Sequence, residues 1–175
     1  MRRNYKLPVT FVCIFAVILF LASYGKDDPK MLTATLSVEC CNALEENSGL
    51  PDAIREILPK DGIIFPSRNI TFKEGESVFD ILSREMKNAG VLMESTFTPG
   101  YGSAYIEGIG NLYEFDCGEL SGWMYKVNGQ FPNYGCSSSF PEDKAIIEWV
   151  YTCNMGEDVG NAGFSGYKDA PQKKQ

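Results

Sequence analysis

The sequence predicts an α+β domain with a compact, mostly antiparallel sheet and one main packed helix, preceded by an N-terminal signal or anchor helix. Three observations lead to this prediction. Apolar and polar residues alternate over 32–40 and 145–153, which is the period of a half-buried strand. Apolar residues at helical spacing run through 77–89. The first 25 residues combine a basic start with an uncharged apolar run.

Residues 1–25 have the pattern of an export signal. Their basic start precedes the uncharged stretch 7–22, which is slightly shorter than the roughly 20 apolar residues of a membrane-spanning helix. Small residues at 23–25 offer a weak cleavage site, so cleavage and retention as an anchor both remain open. In either case the rest of the chain lies outside the cytoplasm, and we expect an extracellular or cell-surface protein that meets the membrane only through this segment.

Composition limits the chemistry that this chain can perform. Its 175 residues contain 16 Lys+Arg, 23 Asp+Glu and no His, with a net charge of −7. Residues 1–25 carry three of the basic residues and none of the acidic ones, so the exported part has a net charge of −10. Such an acidic chain does not attract nucleic acid phosphates. Without His, triads built on imidazole and His-ligated metals are excluded, and we expect no enzymatic activity.

The first half of the expected domain, 32–160, begins after a polar spacer at 26–31. Its opening strand is the alternating run described above. Residues 51–58 form a short helix between two prolines, and 62–73 form an extended segment that Pro66 is expected to break.

The main helix occupies about 77–89. Ser77 is placed to cap its amino end, and Gly90 follows the carboxyl end, where a left-handed residue commonly stops a helix. Residues 91–98 and 104–109 then have the composition of strands.

Further extended runs follow at 112–117 and 122–128. Asn128-Gly129 is the strongest hairpin signal of the chain. The last strand is the alternating run that ends at residue 153, and 161–175 is a polar, flexible tail. Short turns between the later strands favour antiparallel pairing, so the whole order is β-grasp-like.

Five cysteines follow the N-terminal segment and allow two disulfides with one thiol left over. Cys40 and Cys153 lie on the apolar faces of the first and last strands, so we expect them to pair. Cys117 and Cys136 bracket the predicted hairpin and form the second expected pair, which leaves Cys41 free. The spacing fits no known metal cluster, and no base is present to activate a catalytic thiolate.

Three carboxylates, Glu114, Asp116 and Glu119, lie within six residues of one another. On a strand, the first two would share a face and allow acid–base chemistry or Ca²⁺ binding. The segment does not have the spacing of an EF-hand loop. We favour the alternative that these residues form a solvated edge of an acidic protein.

Aromatic side chains are dense between 121 and 136. Tyr and Trp combine a large apolar face with a polar tip, which suits a surface that binds ligands. The strand alternation equally allows Trp123 and Tyr125 to face the core. Phe131 and Tyr134 lie at the predicted hairpin tip, where burial is less expected.

The same segment resembles a known family. Residues 121–129 read Ser-Gly-Trp-Met-Tyr-Lys-Val-Asn-Gly, 132–135 read Pro-Asn-Tyr-Gly, and 147–151 read Ile-Glu-Trp-Val-Tyr. These strings are similar to those of the transcobalamin-like C-terminal domain, and the resemblance is best over 70–153. Its members include a lobe of vertebrate cobalamin carriers and bacterial exported or surface proteins.

The resemblance implies a non-enzymatic binding module with no resident cofactor. In the carriers the lobe closes over cobalamin against a helical domain that has no counterpart in these 175 residues. A cobalamin-type ligand is therefore the sharpest candidate, and a structural or adhesion module that contacts protein or glycan at the cell surface is the alternative. The expected ligand contacts are Trp123, Tyr125, Asn128, Phe131, Asn133 and Tyr134.

Overall fold

The structure is a computed structural model that describes residues 29–98 and 102–161. The predicted signal or anchor segment, most of the spacer and the tail after residue 161 lie outside the described residues. Among the residues that are described, none of the helices combines the length and the apolar character needed to cross a bilayer.

The described chain contains two helices, seven strands and three short 3₁₀ turns. The strands are β1 (Met31–Glu39), β2 (Ile63–Lys73), β3 (Met93–Thr98), β4 (Ser103–Ile109), β5 (Leu112–Tyr113), β6 (Gly122–Val127) and β7 (Ala145–Thr152). The helices are α1 (Asp52–Ile57) and α2 (Val78–Ala89), and the 3₁₀ turns are Cys41–Leu44, Cys136–Ser138 and Glu157–Val159.

The strands form two sheets. One has four strands in the order β2-β1-β7-β6, and the other has three in the order β3-β4-β5. Only β1 and β7 pair in parallel among the described strands; every other pair is antiparallel. The predicted α+β class with a mostly antiparallel sheet is confirmed.

One apolar core joins α2 to the four-stranded sheet. Alternate side chains of the two central strands are buried, as the sequence pattern predicts, and the inner stripe of α2 is buried with them. The buried side chains are Leu32, Ala34, Leu36 and Val38 of β1, Ala145, Ile147, Trp149 and Tyr151 of β7, and Val78, Ile81, Leu82 and Met86 of α2.

Strand β2 continues through Pro66 rather than breaking there. Between the pairs Leu36↔Arg68 and Val38↔Phe65, β2 advances one residue more than β1, so the strand bulges at the proline. Because β2 is the outer strand of its sheet, the missing N–H of Pro66 leaves the ladder intact.

The predicted boundaries of the main helix are confirmed by its caps. Ser77 Oγ accepts a hydrogen bond from Asp80 N at 3.2 Å, and Asp80 Oδ2 accepts one from Ser77 N at 2.9 Å. Gly90 ends the helix with a φ of 70°. Local hydrogen bonding alone therefore determines both ends.

The turn at Asn128-Gly129 forms, but the expected hairpin does not. The two residues have φ values of 52° and 74°, which a type I′ turn requires. After it, only Gln130 bridges back to Val127. Pro132 has no N–H to extend a ladder, and β6 pairs with β7 instead.

Replacing Ser77 with Ala removes the acceptor for Asp80 N, and we expect the free energy of unfolding to fall by about 1 kcal/mol. Urea denaturation measures this loss. Ser95→Ala is the matched control, because Ser95 is exposed on strand β3 and lies away from any helix end, and it should change stability by much less. Equal losses in the two variants would contradict the capping role.

Candidate functional site

Trp123 lies in the core and not on a ligand surface. Its side chain is 8% exposed, and the indole Nε1 donates to the carbonyl of Leu112 at 3.0 Å. The ring meets Tyr151 edge to face with centroids 5.2 Å apart. Trp123 thus takes the core position that the strand alternation also allows, with both its ring and its donor engaged within the protein.

Tyr125 is buried in the same way. Its hydroxyl donates to the carbonyl of Tyr134 at 2.8 Å, and its ring packs on Trp149 with centroids 5.3 Å apart. Burial raises the pKa of Tyr125 to about 12. Tyr125 also takes the core position that the strand alternation allows, and its hydroxyl holds the following loop in place.

The remaining expected contacts divide into two groups. Asn128 is part of the turn, where its Oδ1 accepts from Ile146 N at 2.9 Å, and Phe131 is half-buried beneath the ammonium of Lys126. Asn133 and Tyr134 are exposed, and the Tyr134 side chain retains 54% of its accessible surface. Only these two are free to meet a ligand.

The loop that carries Tyr134 lies along one edge of β4. Ala104 N donates to Ser137 Oγ at 3.0 Å, so the loop occupies the position of a neighbouring strand. Gly135 lies directly against the Ser103 side chain, since a Cβ at this glycine would come within 2.1 Å of Ser103 Oγ. Tyr134 is therefore next to Ser103, on the face of β4 to which Ser103 points.

Farther along the same edge, β5 and the turn after it take over from the loop. Glu114 N donates to the carbonyl of Glu107 at 2.8 Å. Tyr105, two residues after Ser103 and so on the same face, donates its hydroxyl to Glu114 Oε2 at 2.5 Å. The Tyr105 side chain nevertheless remains 45% exposed.

We define the tyrosine–glutamate face as Tyr105 with its neighbours Glu107 and Glu114, together with exposed Tyr134 in the loop that lies along β4. Burial, the hydrogen bond to Glu114 and the charge of Glu107 all raise the pKa of Tyr105, so its phenol stays protonated. The face thus offers apolar rings beside carboxylate oxygens that accept hydrogen bonds. The sequence alone does not identify Tyr105 as a site residue, because its contact with Glu114 depends on how the chain folds along the edge of β4.

A second hydrogen-bonded pair of side chains lies on the three-stranded sheet. The Tyr113 ring crosses Gly108, where a Cβ would come within 2.6 Å of the ring, and its hydroxyl donates to Glu94 at 2.8 Å. Glu94 pairs with Gly108 and Thr96 pairs with Tyr105, so these side chains lie on the face that Tyr105 occupies. Phe97, 63% exposed, pairs with Ala104 and points to the opposite face. Gly108 therefore lets β5 lie close to β4 and so places Glu114.

The three carboxylates do not form the shared strand face considered above. Strand β5 ends at Tyr113, and Phe115 follows with a φ of 70°. Asp116 Oδ2 accepts from Tyr113 N at 2.7 Å, whereas Glu114 bonds Tyr105. Within 29–98 and 102–161, no three Cys, Asp or Glu side chains are arranged to hold a metal ion.

The five cysteines of the described residues are free thiols, so neither expected disulfide is formed in this structure. Cys136 Sγ lies 3.5 Å from the carbonyl of Ala104, beside β4. Cys117 lies instead near Cys153, whose Sγ donates to the carbonyl of Asn42 at 3.7 Å. Strand alternation predicts the face on which a cysteine lies, but it does not predict which turn packs against that face and so which cysteine comes near.

Part of the chain matches one family model, and the fold is remotely similar to solved structures that include the two described next. The family model described as a domain of unknown function, DUF4430, matches residues 75–153. This span is close to the one over which the sequence resembles the transcobalamin-like domain. No curated protein matches the chain.

The first structural likeness is to haptocorrin in complex with Cbi, at 15% identity and a TM-score of 0.49. It covers 75% of this chain but only 27% of the haptocorrin chain. The second is to a protein of Ruminococcus gnavus ATCC 29149 provisionally described as metal binding, at 15% identity and a TM-score of 0.42, covering 69% and 96% of the two chains. At these values neither likeness establishes a shared function.

Gly108→Ala should displace the Tyr113 ring from β4 and lower the free energy of unfolding by about 1–3 kcal/mol. In a Tyr113→Ala background the ring is gone, so the same glycine substitution should cost much less. Urea denaturation of the four proteins gives both values. An equal cost in both backgrounds would contradict the contact.

Stability should fall at alkaline pH because the Tyr125 phenol ionises near pH 10 when unfolded but only near pH 12 when folded. Because the folded pKa is the higher of the two, the folded state keeps the full contribution of this group below pH 10 and loses it as the pH rises toward 12. At pH 11, ionisation of this group alone should lower the free energy of unfolding by about 1 kcal/mol. Tyr125→Phe should flatten the loss of unfolding free energy between pH 9 and 11. Unchanged steepness in the variant would contradict this assignment.

Proposed function

We propose that this chain is an exported or membrane-tethered, non-enzymatic binding module, and that its ligand is a cobalamin-type corrinoid. The observation that supports this best is the tyrosine–glutamate face, in which exposed Tyr105 lies beside Glu107 and Glu114 and exposed Tyr134 belongs to the loop along β4. Large aromatic side chains left exposed beside one another commonly mark a binding surface.

The chemistry of the face selects the kind of ligand. Tyrosine rings pack against flat apolar groups, and ionised carboxylates only accept hydrogen bonds. A corrinoid offers a broad ring edged with primary amides, whose N–H groups donate. The net charge of −10 after residue 25 disfavours anionic ligands.

Binding of this kind would use the ring face and the amide side chains of the corrinoid. The chain contains no His, so it supplies no imidazole to the cobalt. The expected contacts now centre on Tyr105, Asn133 and Tyr134, since Trp123 and Tyr125 are buried. A single open face covers one side of the ligand, and we expect weak binding, with Kd above roughly 1 μM.

Export follows from the pattern of residues 1–25, which is typical of a signal or anchor segment. It would place the face outside the cytoplasm. The alternative role, a cell-surface module that contacts protein or glycan, would use the same rings to stack on a sugar or an apolar side chain.

Titration of the full chain, purified in a mild detergent, with cyanocobalamin tests the proposal. We expect heat of binding and a shift in corrin absorption, and Tyr134→Ala and Tyr105→Ala should each weaken binding about tenfold through loss of one ring contact. Phe97→Ala is the matched control, because Phe97 is equally exposed on the same sheet but on the opposite face, and its affinity should not change.

No binding up to millimolar cyanocobalamin would overturn the corrinoid assignment. Equal weakening by Phe97→Ala would move the binding surface away from the tyrosine–glutamate face. Binding of a glycan array ligand that is lost in Tyr134→Ala, without corrinoid binding, would establish the surface-contact role instead.

A further inference from the structure

The parallel pairing of β1 and β7 brings cysteines from distant parts of the chain to one end of the sheet. Glu39 pairs with Val150, so Cys40, which follows β1, lies near the end of β7, which Cys153 follows. Cys117 belongs to the same end, because its turn is hydrogen-bonded through Ser121 to Tyr151, near the end of β7.

The turn that contains Cys117 is fixed against the end of β7 by backbone and side-chain hydrogen bonds. Cys117 N donates to Ser121 Oγ at 3.0 Å, and Tyr151 of β7 donates to the same oxygen at 3.0 Å. Met155 N donates to the carbonyl of Leu120 at 2.8 Å. The chain beyond Cys153 and the turn around Cys117 are therefore held together on both sides of the two thiols.

Cys41 and Cys136 have different neighbours, whereas Cys40 lies at the same end of the sheet as Cys117 and Cys153. Cys41 is exposed, with its Sγ 3.5 Å from the carbonyl of Asp61. Cys136 Sγ lies beside Ala104 of β4. Cys40 is fully buried, whereas Cys153 is half-buried and accessible to a reagent.

We propose that Cys117 and Cys153 form a disulfide when the protein meets an oxidising medium, and that this bond locks the turn that carries Glu114. The pairing differs from both bridges that the sequence pattern suggests. It closes a loop from the turn after β5 to the end of β7, two segments that the hydrogen bonds at Ser121 and Met155 already hold together.

The local electrostatics assign a role to each thiol. The hydrogen bond from Cys153, ahead of one from Ser48, lowers the pKa of Cys117 despite its burial, while donating that bond raises the pKa of Cys153. Cys117 is therefore the stronger candidate for a thiolate, and Cys153 is the more accessible sulfur.

The reaction is thiol–disulfide exchange with a disulfide oxidant. The Cys117 thiolate accepts the proton of the more accessible Cys153 thiol, and the Cys153 sulfur attacks one sulfur of the oxidant, so that the oxidant's S–S bond breaks and one thiolate of the oxidant leaves. Cys117 then loses this proton to solvent. The Cys117 thiolate then attacks Cys153 Sγ in the mixed disulfide and displaces the second thiolate. The two protein thiols lose two electrons and two protons, and one oxidant disulfide becomes two thiols.

Oxidised glutathione is the oxidant for the test, applied to the full chain in mild detergent with Cys13→Ser to prevent pairing by the N-terminal thiol. Remaining thiols are alkylated, and the digested protein is analysed by mass spectrometry without reduction. We expect one major cross-linked peptide pair, containing Cys117 and Cys153, with Cys40, Cys41 and Cys136 alkylated.

Thermal unfolding gives an independent measure. Reduction should lower the Tm of the oxidised protein by about 10 °C, because the bond restrains a long loop in the unfolded chain. Cys153→Ser and Cys117→Ser should each abolish this difference, whereas Cys136→Ser, the matched control, should preserve it.

Alkylation of both Cys117 and Cys153 after oxidation would overturn the proposal. So would a dominant link from either cysteine to Cys40 or Cys136. Since the test measures connectivity and not ligand binding, its result is independent of whether a corrinoid binds.

Discussion

Residues Ala34 to Glu39 of β1 pair in parallel with Ala145 to Val150 of β7, and this pairing joins the two ends of the domain. It places the two most regular apolar faces side by side under α2. It also sets β2 and β6 as the outer strands. The aromatic pairs Trp123–Tyr151 and Tyr125–Trp149 lie on the β6–β7 side of this arrangement and complete its core.

Burial of those aromatic pairs decides where a ligand surface can exist. Once Trp123 and Tyr125 are in the core, their polar tips hold neighbouring backbone, and Tyr125 fixes the carbonyl of Tyr134. The exposed aromatic and acidic side chains lie instead along the edge of β4, where two loops hydrogen-bond to the strand. The core and the tyrosine–glutamate face are thus connected by a hydrogen bond, since the buried Tyr125 hydroxyl holds the backbone of exposed Tyr134.

The sequence predicts the regular elements well because their signals are local. Strand alternation, the cap at Ser77 and the left-handed Gly90 each depend on a few neighbouring residues. The site is harder to predict because it depends on distant contacts: Tyr105 meets Glu114 across a strand edge, and Cys117 meets Cys153 through a turn. The Asn128-Gly129 signal is a clear example, since it specifies the turn while Pro132 and β7 decide which strand pairs with β6.

The bulge at Pro66 has a consequence for encounters between copies of the chain. An outer strand of 11 residues presents unpaired donors and acceptors that invite edge-to-edge aggregation. Pro66 removes one donor, the bulge twists the edge, and the exposed Arg68, whose guanidinium covers the Phe65 ring at 3.9 Å, adds a charge beside it. The bulge that makes this strand difficult to recognise as continuous therefore also disfavours edge-to-edge association between folded copies of the chain.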